Sequence, residues 1–271
     1  MKGVSQKWVS TSTAATLAAL AVPCVGLRTR AASDGEIPVG ASKLGGSPDV
    51  PAEFEWPAWN DAPLAFLAQV DLTDAAPFRG AEDLPRSGTL SFFYDAEQRT
   101  WGGEPDDRGR WRVFWFQAGT PLERWSAPRS DSGEDVYRAC RFQATQAVSL
   151  PSWDTDEIDG LSLEEHEIDA YGELIEDLMR ERGEVTLHRL LGRAHPIQSD
   201  PVSDIPPAVT GAVDRSRDQH SAAEWRLLFQ LDSDDNAEMM WGDSGMLYFM
   251  IRRDHLAERR FDDVWMVLQC C

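Results

Sequence analysis

The residues able to do chemistry are mostly carboxylates, and the densest run is Asp232-Ser233-Asp234-Asp235-Asn236, with Asp243 at the twelfth position. Oxygen donors at the first, third, fifth and twelfth places are what a calcium loop offers. The sixth place, however, is Ala237 where the sharp turn wants Gly, and the flanks read as strands. The run therefore reads as a solvated acidic hairpin. Asp232, Asp234 and Asp243 are the metal candidates, and neither metal nor cofactor is expected. A Gln-x-Asp pair occurs twice, as Gln69/Asp71 and Gln230/Asp232. On a strand both members of each pair lie on one face. Two such pairs turned toward one cleft would form a polar ligand site; alternatively, each Gln satisfies main-chain groups at a sheet edge or loop. Trp56 and Trp241, in Gly/Trp-rich loops, complete the ligand-binding candidates as aromatic anchors.

Other motifs fall short. None of the five His makes HExxH, because His166-Glu167 is followed by Ile-Asp-Ala, and Gly242-Asp243-Ser244-Gly245 has Met246 where a nucleophile elbow needs Gly two after the Ser. Gly45-Gly46-Ser47-Pro48 lacks the Gly-Lys-Ser/Thr ending of a phosphate loop. Nucleophile-plus-base catalysis has no local support and no catalytic residue is assigned; carboxylates paired only in space stand as the enzymatic alternative.

The elements that must position these residues follow from pattern. Strands are expected over Leu64–Asp71, Thr89–Tyr94 and Trp111–Phe116, each β-branched or aromatic and bounded by Gly, Pro or Asp. Leu64–Asp71 aligns with Trp225–Asp232, Ser87–Phe92 with Ser244–Phe249, and a third strand follows each, which suggests an internal duplication. Between the copies, residues 151–185 hold 13 acids and two Arg. Ser162 with Glu165 reads as a capping box. Ile168, Tyr171, Leu174, Ile175, Leu178 and Met179 form one apolar stripe, and Gly183 stops the helix. Glu164, Glu167, Glu173 and Asp177 fall on its outer face. The expected fold is α+β: two tandem repeated antiparallel sheet units with an N-terminal helix and an acidic helical insertion. The organisation is residues 1–40 as N-terminal helix and strand, 41–150 as first sheet unit, 151–200 as insertion and 201–271 as second sheet unit, in one compact domain.

The 271 residues carry 46 acids against 26 bases, a formal charge of −20. That charge disfavours nucleic acid and anionic membrane as partners. Only Lys2, Lys7 and Lys43 are Lys; the remaining bases are Arg. Four Cys without a CxxC give neither a zinc site nor a disulfide framework. Behind an Ala-rich run, Thr29-Arg30-Ala31 could pass for an export cleavage site. The run is weakly apolar, Pro23 ends it, and Arg28 and Arg30 flank the cut. A helix over Ser12–Val22 and a strand through Val25 and Leu27 fit as well, so a cytoplasmic protein is expected and export is the alternative.

The chain resembles the YwqG-like family of bacterial proteins, a domain of unknown function. The likeness runs through Ser42–Pro48, Trp56-Pro57, Leu64–Leu72, Leu84–Tyr94, Leu190-Leu191-Gly192, Ile197-Gln198 and, most specifically, Trp225–Phe249. It implies that the first 30 residues belong to the domain. It also implies kinship with programmed-cell-death-protein-2-type chaperones, which shelter a ribosomal protein. The expected function is a non-enzymatic, chaperone-like module for a basic polypeptide. An immunity protein against a cationic toxin, or an enzyme with dispersed acidic residues, are the alternatives.

Overall fold

The computed structural model describes residues 11–95, 97–128, 137–151, 155, 158, 160–161, 163–181, 186–211 and 224–271. Its centre is an antiparallel pair, β1 (Val22–Ala31) and β10 (Cys140–Ser149), in register from Val22 opposite Ser149 to Ala31 opposite Cys140. β10 alternates, with Cys140 and Phe142 buried and Arg141 and Gln143 exposed, as a strand with one covered face does.

From this pair the sheet grows outward in the same manner on both sides. Next to β10 lies the two-residue β2 (Lys43–Leu44), then β6 (Ala65–Asp71), β7 (Thr89–Tyr94) and β8 (Trp111–Phe116). Next to β1 lies the two-residue β11 (Arg189–Leu190), then β12 (Trp225–Asp232), β13 (Met246–Arg252) and β14 (Trp265–Gln269). The ten strands form one sheet. Two minor ribbons stand apart, β3 (Asp49–Val50) with β9 (Glu123–Arg124) and β4 (Ala58–Trp59) with β5 (Ala62–Pro63).

The two arms share their irregularities. The β6–β7 register slips between Phe66 and Ala68, and the β12–β13 register slips between Leu227 and Phe229, the aligned positions. Asp71 faces Thr89 as Asp232 faces Met246. The arms curl until their inner faces meet. Phe92 lies 4.5 Å from Phe229 and 5.1 Å from Phe249, ring centre to ring centre. At the closing seam the Trp111 and Trp265 rings are 4.9 Å apart, and Trp111 Nε1 donates to the Val264 carbonyl at 2.9 Å. The unpaired side of β14 is covered where Leu268 N–H donates to the Trp101 carbonyl at 3.0 Å. Covering that edge removes a template for association with other chains.

The helices are few: α1 (Thr11–Ala19), α2 (Leu72–Ala75), α3 (Glu165–Glu181), α4 (Pro201–Asp204), α5 (Pro207–Thr210) and α6 (Arg253–Ala257). Leu17 of α1, Ile158 and Tyr171 of α3 form a satellite core, tied down where Tyr171 OH donates to the Pro151 carbonyl at 2.8 Å. Glu164 and Glu173 are exposed. Ser162 lies outside the described residues, as do the side chains of Ile175, Asp177, Leu178 and Met179.

The expected α+β architecture of two tandem sheet units is overturned. Both arms belong to one nearly closed, barrel-like antiparallel sheet, and the helices are minor additions to it. The physical reason is the β1–β10 pairing, which joins segments more than a hundred residues apart and fuses what would be two sheets. The expected Thr29-Arg30-Ala31 cleavage triplet lies inside β1.

Candidate functional site

Each Gln of the repeated pair is fully buried and clamps the chain that precedes its arm. Gln69 Oε1 accepts from Asp49 N–H at 2.9 Å, and its Nε2 donates to the Ala41 carbonyl and to Asp49 Oδ2, both at 2.8 Å. Gln230 Oε1 accepts from His195 N–H, and its Nε2 donates to the Leu187 carbonyl, both at 2.8 Å. Asp71 N–H donates to Ser42 Oγ at 2.9 Å, while Asp232 N–H donates to His188 Nδ1 at 3.1 Å. Asp71 then caps α2 through Thr73 N–H, and Asp232 accepts from Leu187 N–H. The two pairs sit in separate arms and do not converge.

The aromatic candidates are equally apart. Trp241 is fully buried, donates to the Asp232 carbonyl at 3.1 Å and packs edge-on to Tyr94 and Tyr137. Trp56 donates to the Leu64 carbonyl and lies edge-on to Phe93 on the outer face of the first arm.

The acidic hairpin is tied to the protein itself. Asp234 Oδ2 contacts His188 Nε2 at 3.0 Å and accepts from Thr29 Oγ1 at 2.7 Å. Because His188 Nδ1 accepts from Asp232 N–H, the proton of the buried imidazole sits on Nε2, facing Asp234. Burial pushes the Asp234 carboxyl up, but the bonds from His188 and Thr29 outweigh it and hold it below the usual value. Burial pushes Asp232 up. Asp243 is exposed. Among the described residues no three of His, Cys, Asp and Glu converge as metal ligands.

The Gly45-Gly46-Ser47 turn does hold an anion, but a protein one. Ser47 N–H donates to Asp34 Oδ2 at 3.0 Å. Lys43, fully buried, donates to Asp34 Oδ1 at 3.1 Å and to the Ser47 carbonyl, and lies 3.5 Å from Asp49. Arg124 grips Asp49 with two bonds, at 2.8 and 3.1 Å, and donates to the Asp34 and Ile37 carbonyls. Burial lowers the Lys43 ammonium. Burial also raises the Asp49 carboxyl, but Arg124, Gly40 N–H and Lys43 more than reverse that. The network is internally satisfied and leaves no place for a ligand.

A cleft of about 710 Å³ opens beside the second arm. Several separate stretches build it, Pro151 and Thr155 among them. Val22 and Pro23 begin β1; Arg79–Asp83 form a turn; residues 191–202 follow β11; Trp225–Leu227, Met250 and Arg253 come from β12, β13 and α6. The turn is held by Gln146 of β10, whose Oε1 accepts from Arg79 N–H at 2.9 Å while its Nε2 donates to the Arg79 carbonyl at 3.1 Å. Gly80 adopts φ +95°, and a Cβ there would lie 2.3 Å from the Pro23 carbonyl oxygen, so only Gly permits this approach. On the opposite wall Ser149 Oγ accepts from Arg193 N–H at 2.8 Å. The lining mixes apolar side chains (Leu227, Met250, Val202) with charged ones, four Arg against Glu82, Asp83 and Asp200. None of the six sequence-predicted ligand residues lines it. Arg79, Trp225, Arg226 and Arg253 come from distant segments and share no motif. The only signal in the chain was the excess of Arg over Lys.

Among the described residues no helix is long and apolar enough to cross a membrane. A comparison with curated proteins finds no match. The profile of the family described as Domain of unknown function (DUF1963) matches residues 42–270, from the start of the first arm to the end of the second. The chain therefore belongs to the DUF1963 family.

Proposed function

We propose that this protein is a non-enzymatic, chaperone-like module that shelters a polypeptide segment in the cleft beside its second arm. The observation that carries the reading is the cleft's make-up: apolar side chains beside four Arg and three carboxylates, in a volume of about 710 Å³. That is the anatomy of a recognition surface. The likeness of Trp225–Phe249 to YwqG-like proteins, with their kinship to polypeptide chaperones, supports the same reading. The charge of −20 favours a partner that is basic overall, in the cytoplasm, and disfavours nucleic acid and anionic membrane. Selection of displayed random twelve-residue peptides on the full chain tests it. Retention at least tenfold above an unrelated acidic protein, lost in an Ala194→Trp variant that fills the cleft, is expected. Retention that survives filling would overturn it.

A further inference from the structure

The cleft carries a surplus of hydrogen-bond donors. Each of its three carboxylates already has a donor from the protein. Glu82 accepts from Gly80 N–H at 2.7 Å, Asp200 from Val202 N–H at 3.0 Å, and Asp83 pairs with Arg226. The donors are not matched in the same way. Arg79 is exposed, and among the described residues no carboxylate lies within ion-pair distance of its guanidinium, although its main chain is fixed on both sides by Gln146.

From this we infer that the segment bound in the cleft bears a carboxylate side chain, Asp or Glu, which the Arg79 guanidinium grips as a fork. This rests on the binding reading above and concerns only the bound segment, not the net charge of its partner. The guanidinium is suited to it because its planar donors match a carboxylate two-to-two. Val202, a partly exposed apolar side chain of the lining, takes the apolar residue beside that carboxylate.

The peptides retained by the full chain are sequenced, and the most enriched one is synthesised beside a copy with every Asp and Glu changed to Asn and Gln. Enrichment in Asp or Glu is expected, with the amide copy at least tenfold weaker in titration. Arg79→Gln should cost the acidic peptide a similar factor, and Arg79→Lys less. Thermal melts of each variant should match the parent and so confirm the fold. Neutral or basic peptides retained through the cleft would overturn the carboxylate inference and leave the binding reading intact. An acidic peptide indifferent to Arg79→Gln would overturn it as well. The absence of any cleft-dependent retention would sink both.

Discussion

The arm that starts at β2 and the arm that starts at β11 are hung on the same side-chain bonds and finished in opposite ways. In each, a buried Gln holds the carbonyl eight residues before the N–H it accepts from: Ala41 and Asp49 in the first, Leu187 and His195 in the second. In each, a turn of two left-handed residues follows the short strand, Gly45-Gly46 at φ +64° and +71° and Leu191-Gly192 at +57° and +75°. There the likeness stops. Where the first arm has Lys43 and Asp49, locked with Asp34 and Arg124, the second has Arg189 and His195, and its turn opens on the cleft. One arm is thus sealed by internal ion pairs, while the other borders an open cleft with charged side chains in its lining. Charge bonded inside fixes structure; charge at an open wall can recognise a partner.

The sealed arm should be the costlier to break. Asp49→Ala strands Lys43 and Arg124 without their shared carboxylate, and a loss of about 3–5 kcal/mol is expected in urea unfolding. Truncating Phe92 to Ala at the meeting point of the arms should cost a comparable ~3–5 kcal/mol, with loss of the contacts to Phe229 and Phe249. Gln69→Leu and Gln230→Leu should each cost about 2–3 kcal/mol by orphaning buried main-chain groups. Near-equal losses would sharpen the equivalence of the arms, and a large inequality would break it.

Acid should separate the arms more gently. Burial, helped by neighbouring Arg189, pushes His195 down to about 4. Between its ordinary value of about 6.5 and that value the unfolded chain takes up a proton the folded chain refuses. Stability from this group is therefore full above about pH 6.5 and is lost toward pH 4, by on the order of 2–3 kcal/mol. Asp49 is depressed below the ordinary carboxylate value, so its contribution is present above that value and is lost only in stronger acid. Hydrogen exchange at pH 4.5 should accordingly show β12 and β13 opening before β6 and β7. The smallest effect belongs to the acidic helix. Glu164→Gln with Glu173→Gln should change stability by under about 0.5 kcal/mol, while slowing association with a basic partner in stopped flow at low salt.

Individual strands of both arms were legible from residues alone. The Gln-x-Asp pairs, the Ser-Gly turns and the strand alignments carry local patterns, and the observed registers follow the same alignment. Three features were not. The two-residue strands β2 and β11 are too short to show periodicity, although they join each arm to the centre. β10 does alternate, but its partner is far away in sequence, so the choice between one sheet and two is set by long-range pairing. The cleft is assembled from a turn, a loop and strand ends, and no spacing links Arg79 to Trp225.

The central claim is that polypeptide is held beside the second arm and not on the sealed one. Photo-crosslinking tests it most directly, using the retained peptide with a benzophenone at successive positions on the full chain, and mapping the adducts by mass spectrometry. The account predicts adducts within residues 79–83, 191–202, 225–227 and 250–253. Adducts concentrated around Trp56 and the outer aromatic face of the first arm, or on the acidic helix, would contradict it.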